Sequence, residues 1–590
     1  MSVPKGLSNY LLVGNERGCS AGLVLLSEGL GRGGHQPGCW SGVDDFVLDL
    51  PKFVLVDGQP SLQGLGEHQA GLDLMLFPDP EIHGAHAVRP ITLALCQHGD
   101  AFRLQPPLKQ VALGGVCGGV NQNDLAHTRI LNERGNAGGS GPAGKMPGVT
   151  RLFGTDGVRG VANRDLTPEL ALALGRAAVS VLGGDQRPSI VVGRDTRASG
   201  KPLEAAFCAG LCSAGADVIR AGIVPTPAVA FLTVDTGAQM GVVISASHNP
   251  PEYNGIKFFS GEGGKLPDQA ELEMERLVRS GTEQRPEGSA LGRITDSVEG
   301  TERYLEHLVT AVGGTLAGMR VVIDCANGAA YMLGPEILRR LGAEVYAIND
   351  EPDGANINVG CGATHPEAIT EAVRRFGADA GVAHDGDADR AIMSDADGNV
   401  VDGDQILAAA ALSYKESGRL AQNTVVSTVM ANLGFRKAMK SEGIDVIETQ
   451  VGDRYVLEEM LRRNAVLGGE QSGHIIFRDQ ATTGDGLLTA AWFLSEVRRR
   501  GVTAAELAAG APRYPQVLQN VPVDHGALDE AEAVWEAVRD AEEALGAHGR
   551  VLVRASGTEP LVRVMVEAET VEDATLHADA ISAAVRSSLG

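Results

Sequence analysis

The sequence predicts an α/β fold over residues 146–590, laid out in successive α/β blocks. Three observations carry that prediction: the chain changes character near Met146, strand and helix patterns alternate beyond it, and polar loops sit at the ends of apolar strands.

The alternation is plainest in residues 166–192. Thr167 is a good N-cap, Pro168 suits a first helical turn, and Leu170, Leu174, Ala178 and Val181 then step by three or four along one face. Residues 189–192 read as a buried strand ending at Gly193, and similar strands are expected at 240–244, 320–324 and 378–383. Strands alternating with helices in this order imply layered blocks, three in succession, which are candidates for distant copies of one another.

With 590 residues, 43% hydrophobic and 21% charged, the chain has globular composition and room for roughly three to five domains. Its formal net charge of -25 argues against nucleic acid or an anionic membrane as the main partner, since both demand basic patches. An anionic substrate must therefore be drawn in by a local cluster of Arg, Lys or metal. No run of about 18 apolar residues offers a membrane helix, and the apolar stretch at 21–26 is too brief for a signal-peptide core. A cytoplasmic protein is expected. Beyond residue 145, Cys208, Cys212, Cys325 and Cys361 form no CxxC or zinc-like spacing and read as reduced core residues.

Residues 1–145 are different in kind. They hold six of the fourteen histidines and four of the eight cysteines, with 13 Asp+Glu against 10 Lys+Arg and no sustained period; beyond them 62 Asp+Glu face 40 Lys+Arg. Residues 136–144 are Gly/Ser/Pro-rich, as a linker would be. GLGRGG at 29–34 fits GxGxxG, but Pro37 follows where a helix should begin. GSGPAGK at 139–145 resembles a phosphate loop, yet Met146 stands where Ser or Thr is required. Both read as chance. The expectation for 1–145 is an N-terminal extension, unstructured or translated from too early a start codon, with an added domain as the alternative.

Chemistry concentrates in five segments. In MGVVISASHNP, 240–250, an apolar strand runs into a turn stopped by Asn-Pro-Pro, which sets Ser245, Ser247 and His248 at a strand end, where α/β folds place ligands. A plain Ser-rich turn is the competing reading; a GxSxG nucleophile elbow does not match. In AHDGDADR, 383–390, Asp385, Asp387 and Asp389 alternate with the small Gly386 and Ala388, so that three carboxylates can converge on one hard cation. An EF-hand fails, with Arg390 at its sixth position and Ala396 at its twelfth, and a solvated acidic turn stays open. In VLVRASGTEP, 551–560, followed by Arg563, a strand opens into a loop of hydroxyls, glycine and arginines that would suit a phosphate, or else is an ordinary charged turn. FGTDGVRG at 153–160 puts Arg159 in a Gly-rich loop, and GEQSGH at 469–474 presents Glu470 and Ser472 between glycines; each alone reads more readily as a turn.

Together these segments resemble the α-D-phosphohexomutase superfamily over about residues 150–590, and in detail its bacterial glucosamine branch. The resemblance is carried by ISASHNP followed by NGIKF at 254–258, with RLFGTDGVRG at 151–160, VGDRYV at 451–456 and TTGDG at 482–486 pointing to the branch. Three departures appear: His384 where many members have Phe, Gln471 where many have Asn, and Ala388 where Gly is common. None removes a carboxylate or a hydroxyl.

What the resemblance implies is specific. The fold would be three α/β domains, at 146–300, 301–400 and 401–513, plus a smaller C-terminal α+β domain at 514–590, around a central cleft. Ser247 would be resident as phosphoserine, give its phosphate to the sugar, and regain it from the other end of a reorienting glucosamine 1,6-bisphosphate, which serves as intermediate or activator. Glucosamine 6-phosphate and glucosamine 1-phosphate would thereby interconvert, feeding UDP-N-acetylglucosamine and cell-wall precursor synthesis. One Mg²⁺ per subunit would sit on Asp385, Asp387, Asp389 and a phosphate oxygen of Ser247. Arg159, His248, Lys257 and Arg390 would stabilise the moving group, with either Lys257 or His248 handling the hydroxyl proton. Glu470 and Ser472 would grip the sugar, while Arg554, Ser556, Gly557, Thr558 and Arg563 clamp the non-reacting phosphate. The partner would be a small amino-sugar phosphate, with neither nucleic acid nor membrane, and a homodimer is the candidate assembly. The rivals are a metal-dependent phosphatase and a non-catalytic sugar-phosphate sensor. The clamp argues against the first, and the complete serine, metal and clamp set against the second.

Overall fold

The computed structural model describes residues 151–154, 156–182, 187–281, 285–523, 528–556 and 560–590, and before them only the backbone of six short strands. The chain divides into two units, Met1–Ala143 and Gly144–Gly590. In the first unit, Gly22–Leu26, Asn9–Asn15, Leu72–Phe77 and Ile91–Thr92 pair antiparallel in that order, and Lys52–Val56 pairs with Gln59–Gln63. The two phosphate-loop look-alikes at 29–34 and 139–145 lie outside the described residues.

The second unit is a chain of α/β domains. A six-stranded sheet runs in the order Ile294–Asp296, Asp217–Ile223, Ser189–Arg194, Met240–Ile244, Tyr253–Ser260, Val158–Val161. A five-stranded sheet follows, ordered Glu344–Ile348, Arg320–Asp324, Ala380–His384, Ala391–Asp395, Val400–Val401, and then a four-stranded one, ordered Asp445–Thr449, Thr424–Thr428, Leu467–Gly469, Ile475–Phe477. The chain ends in a three-stranded antiparallel sheet, Gln516–Pro522, Leu561–Glu567, Arg550–Ala555, packed on helices Glu532–Leu545 and Val571–Leu589. Three α/β domains and a smaller C-terminal α+β domain are therefore present.

Local sequence accounts for these elements. The expected helix spans Pro168–Leu182, the Leu170 N–H donates to Thr167 Oγ1 (3.3 Å), and Ala171, Leu174 and Ala178 form its buried face. The strand expected at 378–383 runs Ala380–His384 instead. Gly377, at φ 59, ends the helix Glu367–Phe376, and the Ala378 N–H still reaches back to Val373 O (3.1 Å), so extended backbone starts two residues later.

One design recurs in all four sheets. A strand is followed at once by an antiparallel return: Met240–Ile244 by Tyr253–Ser260, Ala380–His384 by Ala391–Asp395, Leu467–Gly469 by Ile475–Phe477, and Arg550–Ala555 by Leu561–Glu567. Three of the turns so formed are 245–252, 385–390 and 470–474; the connection between Ala555 and Leu561 includes residues outside the described ones. The serine, aspartate and Glu470 loops are thus each a hairpin turn of its own domain, whereas the segment 153–160 runs into the edge strand Val158–Val161.

The core is continuous through the first three domains, with Val191, Val243, Ile323, Val382, Val425 and Leu467 in one cluster. A separate core of Val521, Val564, Val566, Ile581 and Val585 lies under the C-terminal sheet, which makes that domain a body of its own. Among the described residues no helix is long and apolar enough to cross a membrane.

Candidate active site

The turn between Ile244 and Tyr253 carries Ser247 at φ 52, a left-handed conformation that costs a serine about 1–3 kcal/mol. A buried ion pair holds it there. Arg197 and Asp195 are fully buried (Nε to Oδ2 2.9 Å), and the Arg197 guanidinium donates to the carbonyl oxygens of Ser247 (2.9 Å), Asn249 (2.7 Å), Tyr253 (3.0 Å) and Pro250. Asp195 Oδ2 accepts from Ser245 Oγ (2.6 Å), which accepts from the Ser247 N–H (2.9 Å). From the second domain, Asn358 Nδ2 donates to Ser247 O (2.8 Å) and Asn249 O (3.0 Å). Sequence reasoning missed Asp195, Arg197 and Asn358; the one signal for the pair was a charged Arg-Asp-Thr-Arg run at the end of a predicted strand.

Ser247 Oγ donates to Asp385 Oδ2 (2.6 Å), which joins the serine turn to the aspartate turn. Asp385, Asp387 and Asp389 are buried and each brings a carboxylate oxygen within 4.8 Å of the others. The small residues between them are needed for this. A Cβ on Gly386 would lie 2.6 Å from Ser247 O, and Ala388 sits at φ 57, which explains why glycine is common at that position and what alanine tolerates there. Burial, with Asp389 and Asp387 adding, pushes the Asp385 carboxyl well above its ordinary range. Burial would do the same to Asp387, but the Lys257 ammonium (2.8 Å) and Thr226 Oγ1 (2.6 Å) outweigh it and hold that carboxyl low. The Oδ1 atoms of Asp385, Asp387 and Asp389 are buried without a hydrogen-bond partner among the described residues. Three orphaned carboxylate oxygens on one turn are what a hard divalent cation satisfies, so the donor set fits one.

Three cations surround this cluster. Lys257 Nζ lies 3.0 Å from Asp156 Oδ2 and 3.7 Å from Asp389 Oδ2, and these carboxylates with Asp387 overcome its burial and keep it charged. Arg159 pairs with Asp156, and Arg390 Nε lies 3.8 Å from Asp389 Oδ1. His248 Nδ1 is 3.3 Å from Ser247 Oγ. Burial, helped by Arg390 and Arg159, pushes His248 down to about 4, so a neutral imidazole stands beside the serine. His384 is neutral as well, pushed down to about 4 by burial, and its Nδ1–H donates to Arg390 O (2.8 Å). The departure from Phe at 384 therefore ties down the far end of the aspartate turn.

The third turn brings Glu470 within electrostatic reach of Arg390, and the Gly452 N–H donates to Glu470 Oε1 (3.0 Å). Ser472 Oγ is buried without a partner among the described residues. Gln471 turns away, its Nε2 3.4 Å from Asp402 Oδ2, so the departure from Asn there touches a helix cap. His474, passed over as the end of a motif, accepts the Gly484 N–H at Nε2 (3.2 Å), which leaves the Nδ1 proton directed toward Asp389 Oδ2, 3.6 Å away.

The expected clamp stands on its own sheet. Arg554 and Arg563 are paired residues on adjacent strands, and burial together with Arg563 lowers the Arg554 pKa. Two guanidiniums in register form a local basic pair. Ser556 is half-buried, its N–H donating to Leu561 O (2.8 Å); Gly557 and Thr558 lie outside the described residues.

Known proteins resemble the chain throughout this unit. Four family models match in order: phosphoglucomutase/phosphomannomutase alpha/beta/alpha domain I at residues 150–285, domain II at 302–398, domain III at 402–514 and the C-terminal domain at 518–584. The phosphoglucosamine mutase of Symbiobacterium thermophilum is 55% identical over 449 residues, covering 75% of this chain and 100% of the relative. That of Thermobifida fusca is 56% identical over 446 residues, covering 75% and 99%. In fold, the chain is similar to the crystal structure of a phosphoglucomutase/phosphomannomutase family protein from Burkholderia thailandensis, with a TM-score of 0.63 at 24% identity over 75% of this chain and 98% of the other.

Proposed function

The chain belongs to the phosphoglucomutase/phosphomannomutase family, and we propose that it is an isomerase interconverting glucosamine 6-phosphate and glucosamine 1-phosphate, as the name of its 55%-identical relatives says of them. The observation that carries the mechanism is the 2.6 Å contact of Ser247 Oγ with Asp385 inside a buried aspartate triad.

Ser247 starts as phosphoserine. A sugar hydroxyl oxygen attacks its phosphorus, the Oγ–P bond breaks as the new O–P bond forms, and the hydroxyl proton passes to a base. The bisphosphorylated sugar, glucosamine 1,6-bisphosphate, then reorients and returns its other phosphate to Ser247 Oγ. Asp385, Asp387 and Asp389 would hold Mg²⁺, which when bound would neutralise charge on the transferring group. Lys257, Arg159 and Arg390 hold further positive charge around that group inside an acidic protein, where low local dielectric strengthens it. The neutral His248 beside Ser247 Oγ is suited to take a proton, and Lys257, held charged, to give one. Glu470 and the Ser472 hydroxyl, which has no partner among the described residues, supply an acceptor and a donor for sugar hydroxyls. Arg554 and Arg563, with Ser556, Gly557 and Thr558, hold the phosphate that is not reacting.

Turnover of glucosamine 1-phosphate, glucose 1-phosphate and mannose 1-phosphate by one preparation tests the substrate. A kcat/KM highest for the amino sugar is expected. A strong preference for either neutral sugar would overturn the assignment.

A further inference from the structure

Between the first and third domains lies a lysine to which the proposed mechanism gives no task. Lys265, in the turn after Tyr253–Ser260, is half-buried and bridges two carboxylates: its Nζ is 2.9 Å from Asp156 Oδ1 and 2.7 Å from Asp453 Oδ1. Each carboxylate leads to a different wall of the site. Asp156 Oδ2 is bound by Lys257 (3.0 Å) and Arg159, two of the cations around the phosphoryl group. Asp453 opens the helix Asp453–Arg463, directly after Gly452, whose N–H fixes Glu470, and its Oδ2 lies 3.9 Å from His474 Nε2.

We infer that Lys265 is a positioning residue that sets the phosphoryl-transfer cations and the sugar-gripping turn at one fixed separation. The inference rests on the proposed mutase reading for the roles of those two walls. Neighbouring contacts brace the same seam. Arg454 pairs with Asp268 (2.5 Å) and Glu271 (3.4 Å) and donates to Leu266 O (3.3 Å), and Thr482 Oγ1 donates to Gly263 O (2.8 Å). These would keep the domains docked without Lys265. What they cannot do is neutralise Asp156 and Asp453, both within 3 Å of the lysine nitrogen. Removing the ammonium leaves two half-buried carboxylates repelling each other, and each drags its own catalytic neighbours.

The test compares wild type with Lys265→Met, Lys265→Arg and the double variant Lys265→Met/Asp453→Asn, reading melting temperature, kcat and KM on glucosamine 6-phosphate. Lys265→Met should lose about 100-fold in kcat/KM, with kcat lowered and KM raised, because both walls shift. Lys265→Arg should recover most of that loss. The double variant, freed of the repulsion, should regain the wild-type melting temperature while the rate loss persists. Wild-type kcat and KM in the double variant would overturn the inference, leaving Lys265 a charge-neutralising brace only. If Lys265→Met does not fold, the double variant carries the comparison. If the wild type instead prefers another hexose phosphate, the substrate reading fails, and the same kcat and KM comparison run with that sugar still decides the inference.

Discussion

Ser247 depends on residues far from it in sequence. Arg197 reaches Ser247 O across 50 positions and Asn358 across 111, so no local pattern could announce them. The serine and the three aspartates were legible from short segments whose residue types suggest a chemistry, and Lys257 only through the family resemblance; the structure brings Ser247 into contact with Asp385, and Lys257 with Asp387. Asp195 and Arg197 were not, since a charged pair at a strand end reads as solvated until its burial is known. Arg197→Met strips the partner from a fully buried Asp195 and removes four donated hydrogen bonds. It should cost about 3–5 kcal/mol in urea-unfolding stability and reduce turnover of the surviving fold to background. Wild-type stability would contradict the proposed hold on the strained serine. Asp387→Asn, by contrast, should keep its melting temperature near wild type and lose activity together with any response to added Mg²⁺, measured by metal titration of the rate.

At the level of elements, three hairpin turns, one from each of the first three domains, come together around Ser247, and the clamp hairpin of the C-terminal domain is proposed as the fourth. The outgoing strands at 240–244, 380–384 and 550–555 were readable from their apolar runs, and their loops from Gly, Ser and Asp, whereas the short Leu467–Gly469 carried no such run. The return strands were harder. Tyr253–Ser260 mixes Asn, Gly and Lys with aromatics, and its polar members are buried because they serve the site: Lys257 and Asn254 are at 3% and 0% exposure. A polar residue placed for chemistry hides the strand that carries it. On the last hairpin, Arg554 and Arg563 stand in register with no strand-pairing reason for two like charges to do so. Arg554→Ala should therefore raise KM about tenfold or more while changing kcat less, since it removes a charge-assisted contact to a phosphate held throughout the reaction. An unchanged KM would count against the clamp.

For the whole molecule, the C-terminal domain meets the third domain at a buried carboxylate knot. Glu567, fully buried, accepts from the Leu433 N–H (2.9 Å) and Arg550 Nε (3.1 Å), while Asp404 Oδ2 accepts from the neighbouring Asn432 N–H (2.7 Å). Burial, with Asp402 adding, pushes Asp404 up to about 8. A carboxyl raised in the folded state favours folding while it is protonated, and that stability is lost as pH rises from the ordinary carboxylate range through 8. Asp404→Asn should accordingly gain melting temperature relative to wild type steadily from pH 5 to 8, and a pH-independent difference would contradict the assignment. The succession of α/β blocks was readable from alternating strand and helix patterns and the family resemblance, whereas this junction was not, being made of single residues from 402 to 567.

The proposal that joins these scales is that Ser247 hands its phosphate to an amino sugar and keeps it off water. A single turnover of protein carrying labelled phosphate on Ser247, mixed with glucosamine 6-phosphate, tests it most directly. The label should leave the serine and appear in glucosamine 1,6-bisphosphate and glucosamine 1-phosphate. Label released as free phosphate, or retained on the serine while sugar turns over, would contradict it.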